Sequence, residues 1–143
     1  MKLFTIGYEG ATMDEFLAAL KAAGVERVID VRAIAASRRP GFSKTALGNS
    51  LAEAGIDYVH LRALGTPTEG RAAARAGRQA DLERIYADQL ALPEAMVQAE
   101  QMKELTAEKP SALLCFERDP KHCHRTLLWQ DAVPNAEIVN LTP

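Results

Sequence analysis

The chain has 143 residues, 48% of them hydrophobic and 25% charged, with a formal net charge of −2. That is the size and balance of one folded domain with its own core, not of a disordered chain. No apolar run approaches the roughly 20 residues that span a bilayer, and two cysteines cannot build a disulfide framework, so a membrane protein and a disulfide-rich secreted scaffold are both excluded.

Leu3-Phe4-Thr5-Ile6 is an apolar run that stops at Gly7 and predicts a first strand from about Lys2. It leaves no room for a signal peptide, so a reducing cytoplasm is the expected setting. Gly7 to Gly10 forms a turn. Thr12 and Glu15 have capping-box spacing, and Met13, Phe16, Leu17 and Leu20 then share one helical face, closed by Gly24. Val28 to Val31 is a second strand, parallel to the first because one helix connects them. A basic loop from Arg32 to Phe42 follows. Ser43 caps a helix carrying Leu47, Leu51 and Ala54, and Ile56 to Leu61 is a third strand. Gly65 to Gly77 has no apolar period and reads as a long loop of the kind that binds ligands. Leu82, Ile85, Tyr86 and Leu90 mark a helix capped by Asp81, and Pro93 opens a continuation through Met102 to about Thr106. Ala112 to Phe116 is a fourth strand, His122 to Asp131 a short helix, and Glu137 to Leu141 a last strand.

This alternation predicts a single three-layer α/β/α domain around a mostly parallel sheet of about five strands, with Rossmann-like order 3-2-1-4-5. The 25 alanines suit close helix packing. Right-handed crossovers place the loops after the first four strands on one rim, where such sheets bind ligands. Charge is concentrated on the same rim. Val31 to Ala80 holds eight Lys or Arg against three acids, a net +5, and the remainder of the chain carries −7. A basic face follows, suited to an anionic small molecule or nucleic acid.

The densest segment runs from Cys115 to Arg125, from a strand end into a helix start, where anions bind and thiols ionise readily. There Arg125 can clamp a phosphate or carboxylate, His124 can move a proton, Cys123 can act as a nucleophile, and Glu117 can act as a base. Cys115 ends a hydrophobic strand, the position of a buried, inert thiol. His122 is expected to face solvent. No metal site is expected, because consecutive ligands cannot readily converge on one ion and no paired C-x-x-C or H-x-x-x-H spacing exists; no cofactor is expected either. A redox pair lacks the C-x-x-C arrangement, and a rhodanese- or phosphatase-like loop would need an arginine where Lys121 stands. Asp30 and Arg32 point to the same side of a strand end, so Asp30 should orient a basic group. Ser37, Arg38, Phe42 and Lys44 supply hydroxyl, cations and a ring for phosphate contact and stacking. Tyr8 and Glu9 occupy a Gly-flanked turn where no apolar demand explains a tyrosine.

Together, T-I-G-Y-E-G at Thr5–Gly10, D-V-R at Asp30–Arg32, S-R at Ser37–Arg38, G-F-S-K at Gly41–Lys44, Tyr58 with His60, L-G at Leu64–Gly65, L-L-C-F-E at Leu113–Glu117 and C-H-R at Cys123–Arg125 resemble the domain-of-unknown-function family numbered 488. The family's usual proline two residues before the S-R serine is Ala35 here, and the second glycine often found after L-G is Thr66. The resemblance implies a small α/β protein with these rim residues as its site, and carries no reaction. Three readings stand: a cleft for a phosphorylated or anionic ligand such as a nucleotide or nucleic acid, a thiol-dependent enzyme using Cys115 or Cys123, and a non-catalytic module with a basic docking face. The first leads, and it places Tyr8, Glu9, Arg32, Glu117, His124 and Arg125 around one cleft between the turn after the first strand and the loop after the fourth.

Overall fold

The computed structural model describes residues 1–143 apart from the side chain of His122, so the expectation for that imidazole lies outside the described residues. Five parallel strands form one sheet: β1 (Lys2–Gly7), β2 (Arg27–Asp30), β3 (Asp57–His60), β4 (Ser111–Cys115) and β5 (Glu137–Leu141). Six helices connect them: α1 (Met13–Ala22), α2 (Lys44–Glu53), α3 (Thr68–Arg75), α4 (Gln79–Leu90), α5 (Pro93–Glu108) and α6 (His124–Ala132). The α/β class and the layers are those the sequence implies. One core packs α1 and α2 on the sheet through Phe16, Leu20, Leu47 and Leu51. The other packs α4, α5 and α6 on the opposite face through Tyr86, Met102 and Leu128. Among the described residues no helix is long and apolar enough to cross a membrane.

The strand order is 3-2-4-1-5, not 3-2-1-4-5. β4 lies between β1 and β2, with Leu113 opposite both Thr5 and Ile29. Its side chains are buried throughout, as an all-apolar Ala-Leu-Leu-Cys run at the centre of a parallel sheet must be. Periodicity gives strand identity but not strand neighbours, and the sequence offers no signal for this insertion.

Two helix starts are built as their spacing implies. Thr12 accepts from the Glu15 N–H while Glu15 accepts from the Thr12 N–H, a complete capping box. Pro93 occupies the first turn of α5. Ser43 precedes α2, but its hydroxyl makes no cap; it accepts from the Ser37 N–H at 3.0 Å and so ties the basic loop down. Asp81 lies inside the first turn of α4 instead of capping it. The expected loop over Gly65–Gly77 contains helix α3 after a 3-10 turn at Arg62–Leu64. Its buried face is Gly70 and Ala73, residues too small to give a bulky apolar period, and three consecutive alanines favour helix without advertising a face.

Gly7 ends β1 where a Cβ would run into the Glu117 carbonyl. The β1–β4 ladder overruns both strands: the Tyr8 N–H donates to Cys115 O at 3.4 Å and the Glu9 N–H to Phe116 O at 2.8 Å. Gly7→Ala should therefore cost about 1–3 kcal/mol by forcing two backbones apart. A urea unfolding midpoint unchanged from the parent chain would show that the approach is not required.

Candidate functional site

At the carboxyl ends of β1, β2 and β4 the sheet opens into a cleft of about 1020 Å³. Its floor is made of side chains that are themselves buried: Tyr8, Arg32, Cys115 and His124. Glu9, Phe116 and Glu117 form one wall, the loop carrying Ile34, Ser37, Arg38 and Arg39 a second, and Arg71, Ala74 and Arg75 of α3 a third. The two loops expected to part around a crevice are joined instead, since the Arg118 N–H also donates to the Glu9 carboxylate at 3.1 Å. Tyr8–Glu9 and Phe116–Glu117 make a single wall, and the opening lies between that wall and the basic loop with α3. The long segment before α4 had to fold as a helix for this third wall to exist.

The floor is organised by a buried ion pair. Arg32 donates Nε to Asp30 Oδ1 at 2.9 Å and Nη2 to Asp30 Oδ2 at 2.7 Å. Its Nη1 donates to the Tyr8 hydroxyl at 3.1 Å and the Phe42 carbonyl at 2.8 Å. Burial alone would lower the Arg32 pKa, but the hydrogen bonds and charge of Asp30 outweigh it and raise it. The Tyr58 hydroxyl donates to Asp30 Oδ2 at 2.6 Å; burial, then this bond and the Asp30 charge, push its pKa up. Two imidazoles hold the adjoining backbone: His124 Nε2 lies 2.7 Å from Val31 O, and His60 Nε2 lies 2.6 Å from Arg32 O. A carbonyl only accepts, so each Nε2 carries a proton, and in His124, whose pKa burial lowers to about 4, Nδ1 presents a lone pair.

The basic walls differ in how far they are tied. Arg39 donates Nε to Ala11 O at 2.9 Å, and Arg71 donates to Thr66 O at 2.8 Å. Arg38 and Arg75 are exposed, and their guanidinium groups have no hydrogen-bond or ion-pair partner among the described residues. Arg71 and Arg75 stand four apart on α3 and so share a helix face. On the acidic side, burial raises the Glu117 pKa, Arg125 opposes the rise and the Glu9 charge adds to it.

Tyr8, Glu9, Arg32, Ser37, Arg38, Glu117 and His124 thus line one cleft. The other sequence-derived candidates do not. Phe42 is buried and stacks on Tyr8 at 4.6 Å between ring centroids, so its ring is used inside the protein. Lys44 is exposed at the start of α2, away from the cleft lining. Cys123 is buried as the N-cap of α6 and is bonded to Cys115. Arg125 is buried beneath the Glu117–Arg118 loop, where it donates to the Glu117 and Arg118 carbonyls and to the Cys115 sulfur. Asp30, expected to orient a basic group, is paired with Arg32. Arg71 and Arg75 were missed as lining residues; the charge segregation contained them, but a segment read as a loop gave no reason to place them.

Fold and cleft together define a small parallel α/β protein with an arginine-walled pocket at the carboxyl edge of its sheet. Residues 12–131 match the family described as Domain of unknown function DUF488, and the chain belongs to that family. No curated protein and no solved structure matches the chain.

Two outcomes follow from the floor. Asp30→Ala leaves the Arg32 guanidinium buried without its carboxylate and should cost about 3–5 kcal/mol of unfolding free energy; a loss under about 1 kcal/mol in urea titrations would mean that Tyr8 and the Phe42 carbonyl suffice. Burial pulls the His124 pKa down from 6.5 to about 4, with the Val31 hydrogen bond opposing. The unfolded chain then binds more protons than the folded one, so the contribution is whole above pH 6.5 and is lost as pH falls towards 4, up to about 3 kcal/mol. Stability measured across that window should slope less in His124→Asn; an unchanged slope would remove the assignment.

Proposed function

We propose that the cleft binds a phosphorylated ligand of the nucleotide class, free or within a nucleic acid. The observation that carries this is the lining itself: five arginines, Arg32, Arg38, Arg39, Arg71 and Arg75, face two carboxylates, Glu9 and Glu117. Arg32 is neutralised by Asp30, but the free guanidinia of Arg38 and Arg75 suit phosphate oxygens. Phe116 is 43% exposed and Ile34 60% exposed beside them, an apolar platform for a base or similar ring. Glu117, with its raised pKa and its place in the wall, is the group best suited to exchange a proton with that ligand. Ser37 supports the loop: its hydroxyl accepts from the Arg39 N–H at 3.1 Å.

Concavity favours this reading over a docking module, since the cations converge on a pocket. It is also favoured over a hydrolase or sulfurtransferase with a free cysteine nucleophile, because both cysteines are joined and His124 is neutral at pH 7 and a weak base. Calorimetry with nucleoside di- and triphosphates and short oligonucleotides tests it. Binding should weaken with added salt, and Arg38→Ala combined with Arg75→Ala should reduce affinity by about tenfold or more. No binding of any of these at low salt would overturn the proposal.

A further inference from the structure

Arg125 stands apart from the other arginines. Its side chain is fully buried, yet no carboxylate lies within ion-pair distance of it among the described residues. Its Nε has no hydrogen-bond partner among the described residues. Its remaining contacts are two backbone carbonyls and, 2.9 Å from Nη1, the Cys115 sulfur. The Glu117 and Asp119 carboxylates act on its charge without an ion-pair contact, and a buried cation with no anion in contact is costly. Of the groups in hydrogen-bond contact with the guanidinium, the one that can become an anion is that sulfur, neutral in the disulfide and negative in a thiolate.

The partner sulfur is held differently. Cys123 caps α6, and its sulfur accepts the Arg125 N–H at 3.4 Å. His124 Nδ1 lies 3.8 Å from it, and with Nε2–H committed to Val31 that nitrogen is a lone pair able to accept an S–H. Reduction would therefore leave Cys115 as a thiolate against Arg125 and Cys123 as a thiol against His124. Cys115 lines the cleft, so it is the sulfur a ligand meets.

We propose that Cys115 and Cys123 are a redox pair that exchanges with an anionic thiol bound in the cleft, a compact molecule carrying carboxylates or a phosphate; this rests on the anion reading of the arginine walls. The bound thiolate attacks the Cys115 sulfur. The Cys115–Cys123 bond breaks, its electron pair leaves on the Cys123 sulfur at the helix N-terminus, and that sulfur takes a proton from solvent. A second thiolate attacks the ligand sulfur of the mixed disulfide and releases Cys115 as the thiolate paired with Arg125. Two thiols are oxidised to their disulfide while the protein disulfide is reduced to the dithiol. The absence of a C-x-x-C motif does not count against the pair, because the turn between β4 and α6 brings together sulfurs eight positions apart.

The test treats the oxidised full-length chain with glutathione, neutral 2-mercaptoethanol or cationic cysteamine at equal thiolate concentration, followed by alkylation and intact-mass measurement. Glutathione should reduce the pair at least about tenfold faster than the other two, and Arg38→Ala with Arg75→Ala should erase most of that preference. Cys123→Ser keeps a side chain that caps helices well, and with glutathione disulfide it should accumulate one adduct, mapped to Cys115. Equal rates for the three thiols, or a folded Cys123→Ser protein that forms no Cys115 adduct, would overturn the proposal. Pyrophosphate calorimetry on the same oxidised sample separates the two readings: binding without exchange removes the redox pair alone, whereas loss of both removes the anion cleft as well.

Discussion

The buried pair of Asp30 and Arg32 is the constraint on which the carboxyl edge of the sheet depends. Asp30 is fully buried at the end of β2, so its charge has to be met by neighbours, and four separate parts of the chain meet either Asp30 or the Arg32 guanidinium that it holds. Arg32 returns from the next loop, Tyr58 reaches across from β3, Tyr8 comes from the turn after β1, and the Phe42 carbonyl closes the far end of the basic loop. Each of these needs Arg32 or Asp30 in place to be satisfied itself. A network of this kind has little tolerance for a missing member, because every donor or acceptor left over is out of reach of water.

The cleft is an outcome of that arrangement. The basic loop is anchored at Arg32 by Asp30, at Arg39 by the Ala11 carbonyl, and at Ser37 by the Ser43 hydroxyl. Gly65 packs so closely against Ala33 that no side chain would fit between them. The opposite wall is held by main-chain hydrogen bonds between the Tyr8–Glu9 turn and Phe116. Arg38 and Arg75 then stand on backbone that is already fixed, so a ligand has to order only their side chains and not the loop or helix that carries them.

Much of this was legible in the sequence. The strands, five of the helices and the α/β class followed from apolar period and caps, and the positions of Tyr8, Glu9, Arg32 and Glu117 at strand ends followed from chain order. Strand order was not legible, because Leu113 and Leu114 look alike whether their neighbours come from β1, β2 or both. Helix α3 was hidden by its small buried residues, and with it the roles of Arg71 and Arg75. Phe42 and Arg125 show a different limit. An aromatic ring in a basic loop and an arginine at a helix start carry the same letters whether they face a ligand or are turned inward, and only packing against Tyr8 and beneath Glu117 decides.

The insertion of β4 between β1 and β2 has a consequence for how the chain reaches its fold. During synthesis β1, β2 and β3 emerge first, and β2 can pair with β3 at once. β1 has no neighbour among them, since both its partners, β4 and β5, come from the final third of the chain. Its apolar run must wait while more than a hundred residues are added, and the sheet becomes continuous only when a segment from late in the chain enters between two early ones. Contacts of such long range close slowly and leave strand edges open in the meantime. The half-made chain is therefore the state most exposed to misassociation, and the apolar Leu3–Ile6 segment is the part of it that a chaperone or a second nascent copy would meet.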